Sequence, residues 1–207
     1  MPRKAAKIAL AVVVAIMLLP LLALATDMPH EALRYQRDLT RNARLAWGLD
    51  APVATFAAQI HQESRWRLDA QSPVGALGIA QFMPSTAAWI SGAYPALGAN
   101  APSSPAWSLR ALAAYDRYLW QHINASDDCS RMAMALSAYN GGLGWVYRDQ
   151  RLAAAKTLNP AVWFGQVEKI NAGRAPAMFA ENRGYPRAIL LKWQPIYALW
   201  GGGIQCG

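Results

Sequence analysis

"HQESRWRLDAQSPVGALGIAQFMPSTAAWI", residues 61–90, ends a helix-like run on one glutamate, Glu63, and follows it with a glycine-punctuated loop. Upstream, Asp50 stands at a capping position and Pro52 in a first turn, and Val53, Phe56, Ala57 and Ile60 recur at helical spacing. That pattern predicts a helix over 52–64 with one buried stripe. At about 100° per residue, Glu63 falls beside Phe56 and Ile60, at the edge of the stripe. It also lies in the last turn, where the helix dipole places partial negative charge. Both effects disfavour an ionised carboxylate, so the pKa of Glu63 is expected to rise, as a general acid requires. A frayed, solvated helix end would keep an ordinary pKa, and helix geometry alone does not choose between the two.

Around this segment the pattern is helical. Residues 27–50 read as an amphipathic helix through Leu33, Arg37 and Ala43–Trp47. Residues 70–78 form a loop, 79–82 a short helix, and Pro84 opens another to about Trp89. A glycine- and proline-dense stretch follows. The longest clear helix spans 107–124, with Leu112, Tyr115, Leu119 and Ile123 on one face. Further helices are predicted over 131–139, from Asn159-Pro160 to about Ile170, and over 186–199 with an interruption at Pro195. No repeats, heptads or strongly alternating strands occur. The expected architecture is mainly α, with a small β-element that the pattern does not locate.

The 207 residues suit one domain, and 54% hydrophobic against 15% charged residues exclude a disordered chain. Part of the apolar excess is local: Arg3, Lys4 and Lys7 precede an apolar run over 8–25 that ends in Ala23-Leu24-Ala25. This order marks a signal peptide, although the run is also about long enough for an N-terminal membrane anchor. Pro20 and the A-x-A spacing favour cleavage, and either outcome places residues 26–207 outside the cytoplasm, in the periplasm or cell envelope. Removing 1–25 takes away three of the 20 basic residues and none of the 12 acidic ones, leaving +5. A basic exported domain suits an anionic surface such as cell-wall polymer or lipid headgroups. Nucleic acid is disfavoured, because no Lys/Arg cluster with interleaved aromatics is present.

Cys129 and Cys206 fit an oxidising compartment. A disulfide between them would contribute about 4 kcal/mol through the unfolded chain, two free buried thiols being the alternative. Two isolated cysteines and scattered histidines offer no metal set, and no cofactor is called for.

The loop and two later segments resemble the soluble lytic transglycosylase (SLT) family, with its goose-lysozyme-like catalytic domain. The family pattern runs E-S, then S-x-x-G-A-x-G-hydrophobic-x-Q, then M-P. Here it is Glu63-Ser64, Ser72 to Gln81 with Gly75, Ala76 and Gly78 in place, and Met83-Pro84. Ala138-Tyr139-Asn140-Gly141-Gly142 is similar to the family's A-Y-N-x-G element, and Glu181-Asn182-Arg183-Gly184-Tyr185 to its late E-T-x-x-Y element. The chain departs at Asn182, where the family has threonine, at Pro186, where valine is usual, and at Ala80, where methionine is usual. The resemblance spans about residues 50–195.

It implies a single compact lysozyme-like α+β domain with a sugar-binding cleft and a peptidoglycan substrate, acting as a monomer. Protonated Glu63 would donate to the leaving oxygen between N-acetylmuramic acid and N-acetylglucosamine, then take the proton of the muramoyl C6 hydroxyl as a 1,6-anhydro ring closes. Ordinary glycosidases use two carboxylates; the family manages with one, and Asp69, the nearest other acid, carries no mark of a partner. Tyr139 would aim its hydroxyl at Glu63. Ser72 and Gln81 would bond the acetamido or sugar groups, and Met83 would line the sugar floor. Asn140 would shape its turn, and Glu181 would bond substrate or buttress Tyr185. Gly75 and Gly78 would let backbone approach the sugar, and Ser64 would support the loop. His61 reads as a surface or satisfied core histidine, and Trp163 and Phe164 are candidate glycan platforms. Alternatives are a hydrolytic muramidase on the same fold, a phage-type endolysin with a membrane anchor, a non-catalytic glycan-binding module, and a membrane-active lysis factor.

Overall fold

The computed structural model describes residues 28–206. The expected signal peptide or anchor, 1–25, lies outside the described residues. Among the latter, seven α-helices follow one another: α1 (His30–Trp47), α2 (Val53–Ser64), α3 (Pro84–Ala93), α4 (Pro105–Gln121), α5 (Asp128–Gly141), α6 (Leu143–Ala155) and α7 (Pro176–Arg187). A π-helical stretch, Ala188–Trp193, and a 3₁₀ stretch, Gln194–Trp200, continue α7. None of these helices is long and apolar enough to cross a membrane.

Helix α2 is the centre of the molecule. All its side chains from Val53 to His61 are buried, not one stripe, and only Gln62 and Glu63 near its end reach open space. A helix apolar nearly all round needs neighbours on every side, and α2 packs on α1 and on the 188–200 segment. Its buried polar side chains are bonded: Thr55 Oγ1 donates to Gln194 Oε1 (2.5 Å), and His61 Nδ1 pairs with the Tyr197 hydroxyl (2.9 Å). His61 is thus a satisfied core histidine, stacked on Trp193 at 4.3 Å between ring centroids. Asp50 makes no cap; Pro52 immediately precedes the first helical residue. In α1 the buried face is Ala32, Leu39, Asn42 and Ala43, while Leu33 is exposed.

Helix α4 lies against both α1 and α5, and α5 in turn packs on α6 and α7. Asp127 caps α5, its carboxylate accepting from the Ser130 amide at 2.7 Å. Two helices escape the sequence pattern for the same reason: polar residues occupy their core positions. In α6 the buried set is Val146, Asp149 and Ala153; in α7 it is Asn182, Arg183, Tyr185 and Pro186. Asp149 Oδ2 accepts from Arg174 Nη1 (2.5 Å) and Arg183 Nη2 (2.6 Å), and its Oδ1 accepts from the Ala172 amide (3.0 Å). An ion triad therefore replaces apolar packing between α6 and α7.

The helix expected from 159 to 170 is instead a chain of turns ending in a short 3₁₀ piece, Val167–Lys169. Asn159 Oδ1 accepts from the Ala161 amide (2.9 Å), and Gly165 has φ +73°, so the backbone leaves helical geometry twice. Residues 79–82 are likewise a turn and not a helix. Antiparallel bridges join Gln71 to Leu77 and Leu77 to Phe82. This is the small β-element, folded on the loop after Glu63. Cys129 and Cys206 are bonded, tying the start of α5 to the C-terminal segment 77 residues away.

Candidate active site

Glu63 lies in the last turn of α2, which ends at Ser64 because the next residue, Arg65, turns left-handed at φ +53°. Ser64 Oγ donates to the Ile79 carbonyl at 2.8 Å, clamping the helix end to the loop as expected. Within the loop, Ser72 Oγ accepts from the Ala76 amide (2.9 Å). Gln81 Nε2 donates to the carbonyls of Ala70 (3.0 Å) and Gly78 (2.8 Å). Both side chains thus shape the loop while lining the cleft. Gly78 has φ +72°, and a Cβ there would lie 2.1 Å from the Pro102 carbonyl oxygen. That backbone crossing and the positive φ are sufficient to require glycine there.

A cleft of about 590 Å³ opens over Glu63. Gln62 and Glu63 form one side, with Ser72, Val74 and Ala76 of the loop above them. Gln81, Phe82 and Met83 also line it, as do Tyr139 and Asn140 from α5 and Glu181 and Tyr185 from α7. Glu63 and the seven residues expected to bind substrate (Ser72, Gln81, Met83, Tyr139, Asn140, Glu181 and Tyr185) therefore meet in one cleft. Tyr115, on the half-buried edge of α4, also lines it, although its spacing marks it only as part of one helix face with Leu112 and Leu119. Through Tyr115 and Thr86 the cleft continues into a recess of about 300 Å³ beside Trp89 and Tyr118.

One pairing differs from expectation. The hydroxyl that reaches Glu63 belongs to Tyr185, which donates to Oε1; the Tyr139 hydroxyl donates to the Ala80 carbonyl at 2.7 Å. Tyr139, at the end of α5, is directed under the loop, whereas Tyr185 approaches from α7. Glu181 accepts from Asn140 Nδ2 (3.2 Å). Asn182, where the family has threonine, is a buried node: its Nδ2 donates to the Ser137 carbonyl (2.8 Å) and Asn140 Oδ1 (2.9 Å), and its Oδ1 accepts from Ser137 Oγ (2.8 Å). A Cβ on Gly141 would sit 2.8 Å from Asn182 Nδ2, so these two positions fit each other.

Burial pushes the Glu63 carboxyl from 4.5 to about 8. The Tyr185 hydrogen bond pulls it down and the negative charge of Glu181 pushes it up. Burial, then the charge of Glu63, holds both Tyr139 and Tyr185 well above the usual phenol range, so both stay neutral donors. The arrangement is one proton-bearing carboxyl at neutral pH, oriented by a phenol and open to a cleft of about 590 Å³.

The family model described as the Transglycosylase SLT domain matches residues 39–161. The chain belongs to the SLT family. This SLT domain is 33% identical over 109 residues to a protein named membrane-bound lytic murein transglycosylase F from Shewanella halifaxensis, covering 52% of the chain and 22% of the relative. It is 27% identical over 157 residues to a soluble lytic murein transglycosylase of Escherichia coli, covering 71% and 21%. The chain thus spans about a fifth of the length of the curated relatives it matches. Its lysozyme-like helical fold is shared with the 70-kDa soluble lytic transglycosylase of Escherichia coli, at a TM-score of 0.59, 24% identity, and coverage of 87% of this chain and 26% of that one. A structure of a 70-kDa soluble lytic transglycosylase in complex with bulgecin A aligns at a TM-score of 0.56 and 23% identity, over 83% and 26% of the two chains.

The candidate glycan platforms of the SLT domain fall away from the cleft. Trp163 is fully buried, and the Phe164 ring is covered by the Arg187 guanidinium at 5.2 Å, so neither offers a free platform. Asp69 is exposed on the loop and does not line the cleft.

Proposed function

We propose that this SLT domain is a peptidoglycan lytic transglycosylase working in the cell envelope. The observation that carries this is the state of Glu63: a carboxyl raised to about 8, bonded to Tyr185, at the centre of the cleft. Protonated Glu63 donates to the oxygen of the β-1,4 bond between N-acetylmuramic acid and N-acetylglucosamine as that bond breaks. The substrate's N-acetyl group assists departure. Glu63, now a carboxylate, takes the proton of the muramoyl C6 hydroxyl, whose oxygen attacks the anomeric carbon. The product carries a 1,6-anhydro ring, and Glu63 is protonated again.

One carboxylate suffices in this scheme because the nucleophile comes from the substrate, and the cleft supports it, since Glu181 is its only other acidic lining residue among the described residues. Asn140 Nδ2 holds Glu181 through a hydrogen bond. Met83, 40% exposed, provides an apolar floor for a sugar face, and Ser72, Gln81 and Tyr139 hold the wall against which the acetamido group rests. The basic balance of the chain suits an anionic wall polymer, and residues 8–25 serve export or tethering to the inner membrane.

Digestion of purified peptidoglycan followed by mass spectrometry tests this. Anhydro-ended muropeptides are expected. Reducing-ended products, heavier by one water, would identify a muramidase instead.

A further inference from the structure

A second carboxyl lies fully buried behind the site, and the reaction does not use it. Asp116, on α4, and Gln59, on α2, are both inaccessible to solvent. Gln59 stands one helical turn before Glu63, on the same face of α2. Its Nε2 donates to Asp116 Oδ1 at 3.4 Å. The remaining two atoms of this pair, Gln59 Oε1 and Asp116 Oδ2, are buried and have no partner among the described residues. With Asp116 ionised, both are acceptors and nothing supplies a proton to either. A buried carboxylate with one oxygen vacant, beside a second vacant acceptor on its neighbour, is strongly disfavoured, and no cation offsets it, because Asp116 enters no ion pair among the described residues. One proton on Oδ2 removes the conflict, turning it into a donor for the vacant amide oxygen of the same pair.

We propose that Asp116 is held as the neutral carboxylic acid in a reciprocal acid–amide pair with Gln59, and that this pair is the bolt that fixes the Glu63 turn of α2 against α4. Gln59 Nε2 donates to Oδ1, and Oδ2–H donates to Gln59 Oε1. Asp116 is thus a positioning residue, acting through the backbone of α2. The titratable groups that act on it are Glu63 from α2, Tyr115 beside it on α4, Tyr139 from α5 and Tyr185 from α7. None is a cation. Burial raises the Asp116 carboxyl well above its ordinary value, opposed by the Gln59 bond and reinforced by the charge of Glu63. Ionisation at high pH would place two negative charges at the end of α2 and break the bolt.

The positioning role rests on Glu63 being the proton carrier, whereas the protonation state does not, and the tests are split accordingly. In the full-length Glu63→Gln protein at neutral pH, infrared spectroscopy should show a protonated-carboxyl stretch that disappears in Glu63→Gln/Asp116→Asn. Absence of that band in Glu63→Gln would overturn the neutral pair, whatever the enzyme's reaction. For positioning, Asp116→Asn keeps a reciprocal two-bond pair with Gln59 and Asp116→Ala does not. On purified peptidoglycan, Asp116→Ala should lower kcat about tenfold or more with KM within about twofold, the pattern of a displaced catalytic group, and Asp116→Asn should recover most of that loss. Equal loss in both variants, or loss in KM alone, would overturn the bolt. Should Asp116→Ala fail to fold, Gln59→Met, which removes both amide partners at similar volume, carries the same comparison.

Discussion

The Tyr185 hydroxyl donates to Glu63 Oε1 across 122 residues of sequence, joining the last turn of α7 to the last turn of α2. This bond orients the proton-bearing carboxyl and, by favouring its ionised form, opposes the effect of burial. The proton affinity of Glu63 is therefore set from opposite directions by two neighbours on one helix, since Glu181 pushes it up.

Tyr185→Phe and Glu181→Gln should consequently move the pH–rate profile in opposite directions. Activity requires protonated Glu63, so kcat/KM is expected to fall as pH rises through about 8. Tyr185→Phe removes the lowering bond and should shift that alkaline limb upward, with kcat reduced about five- to tenfold for the lost orienting bond. Glu181→Gln removes the raising charge and should shift the limb downward. Profiles measured on soluble glycan fragments check both signs; shifts in the same direction would break the assignment.

Glu63→Gln should reduce turnover by at least about a hundredfold, the usual scale for a lost general acid–base. The same change should alter stability with a defined pH dependence. The folded-state pKa of Glu63 is raised, so its contribution is fully present below 4.5 and is lost as pH climbs to about 8. A neutral glutamine has no such loss. The difference in Tm, variant minus wild type, should therefore grow from pH 4 to pH 9, and a flat difference would contradict the raised pKa.

Asp149→Ala should be among the most damaging core changes. It leaves the Arg174 and Arg183 guanidinium groups buried without their shared carboxylate, at a cost of about 3–5 kcal/mol. Urea denaturation measures it directly. Asp149→Asn, which keeps an acceptor and loses the charge, should fall between the two.

Replacing both Cys129 and Cys206 by alanine should lower stability by about 4 kcal/mol if the unfolded chain's entropy dominates. The pairing ties the C-terminal segment near the start of α2, where the Ala54 amide donates to the Gly202 carbonyl (3.0 Å) and the Ile204 amide to Thr55 Oγ1 (3.2 Å). Denaturation midpoints under oxidising and reducing conditions should accordingly separate for the wild type and coincide for the double variant.

The parts of the molecule written in local pattern were legible in the sequence. Apolar spacing located α2 and α4 to within a few residues, and Ser72, Ala76, Gln81 and Met83 of the loop motif line one cleft, whereas Gly75 and Gly78 do not. What escaped depends on pairing across distance. Helices α6 and α7 place Asp149, Asn182 and Arg183 where apolar residues are expected, and no periodicity reveals that Asp149 pairs with Arg174 and Arg183 or that Asn182 is fully hydrogen-bonded. Tyr139 and Tyr185 are equivalent as phenols in sequence, and only the approach of α7 to α2 decides which one reaches Glu63. The stretch at 79–82 has helical composition but is held as a turn by bridges through Leu77.

The fit between Gly141 and Asn182 also constrains how this chain can change over time. A methyl group at 141 collides with the Asn182 amide, so alanine there is admissible only in a background where 182 has already become smaller. The reverse order is open: 182 can shrink while glycine remains at 141. Substitution at these two sites therefore has a direction, and a lineage that has filled position 141 can regain asparagine at 182 only after restoring the glycine.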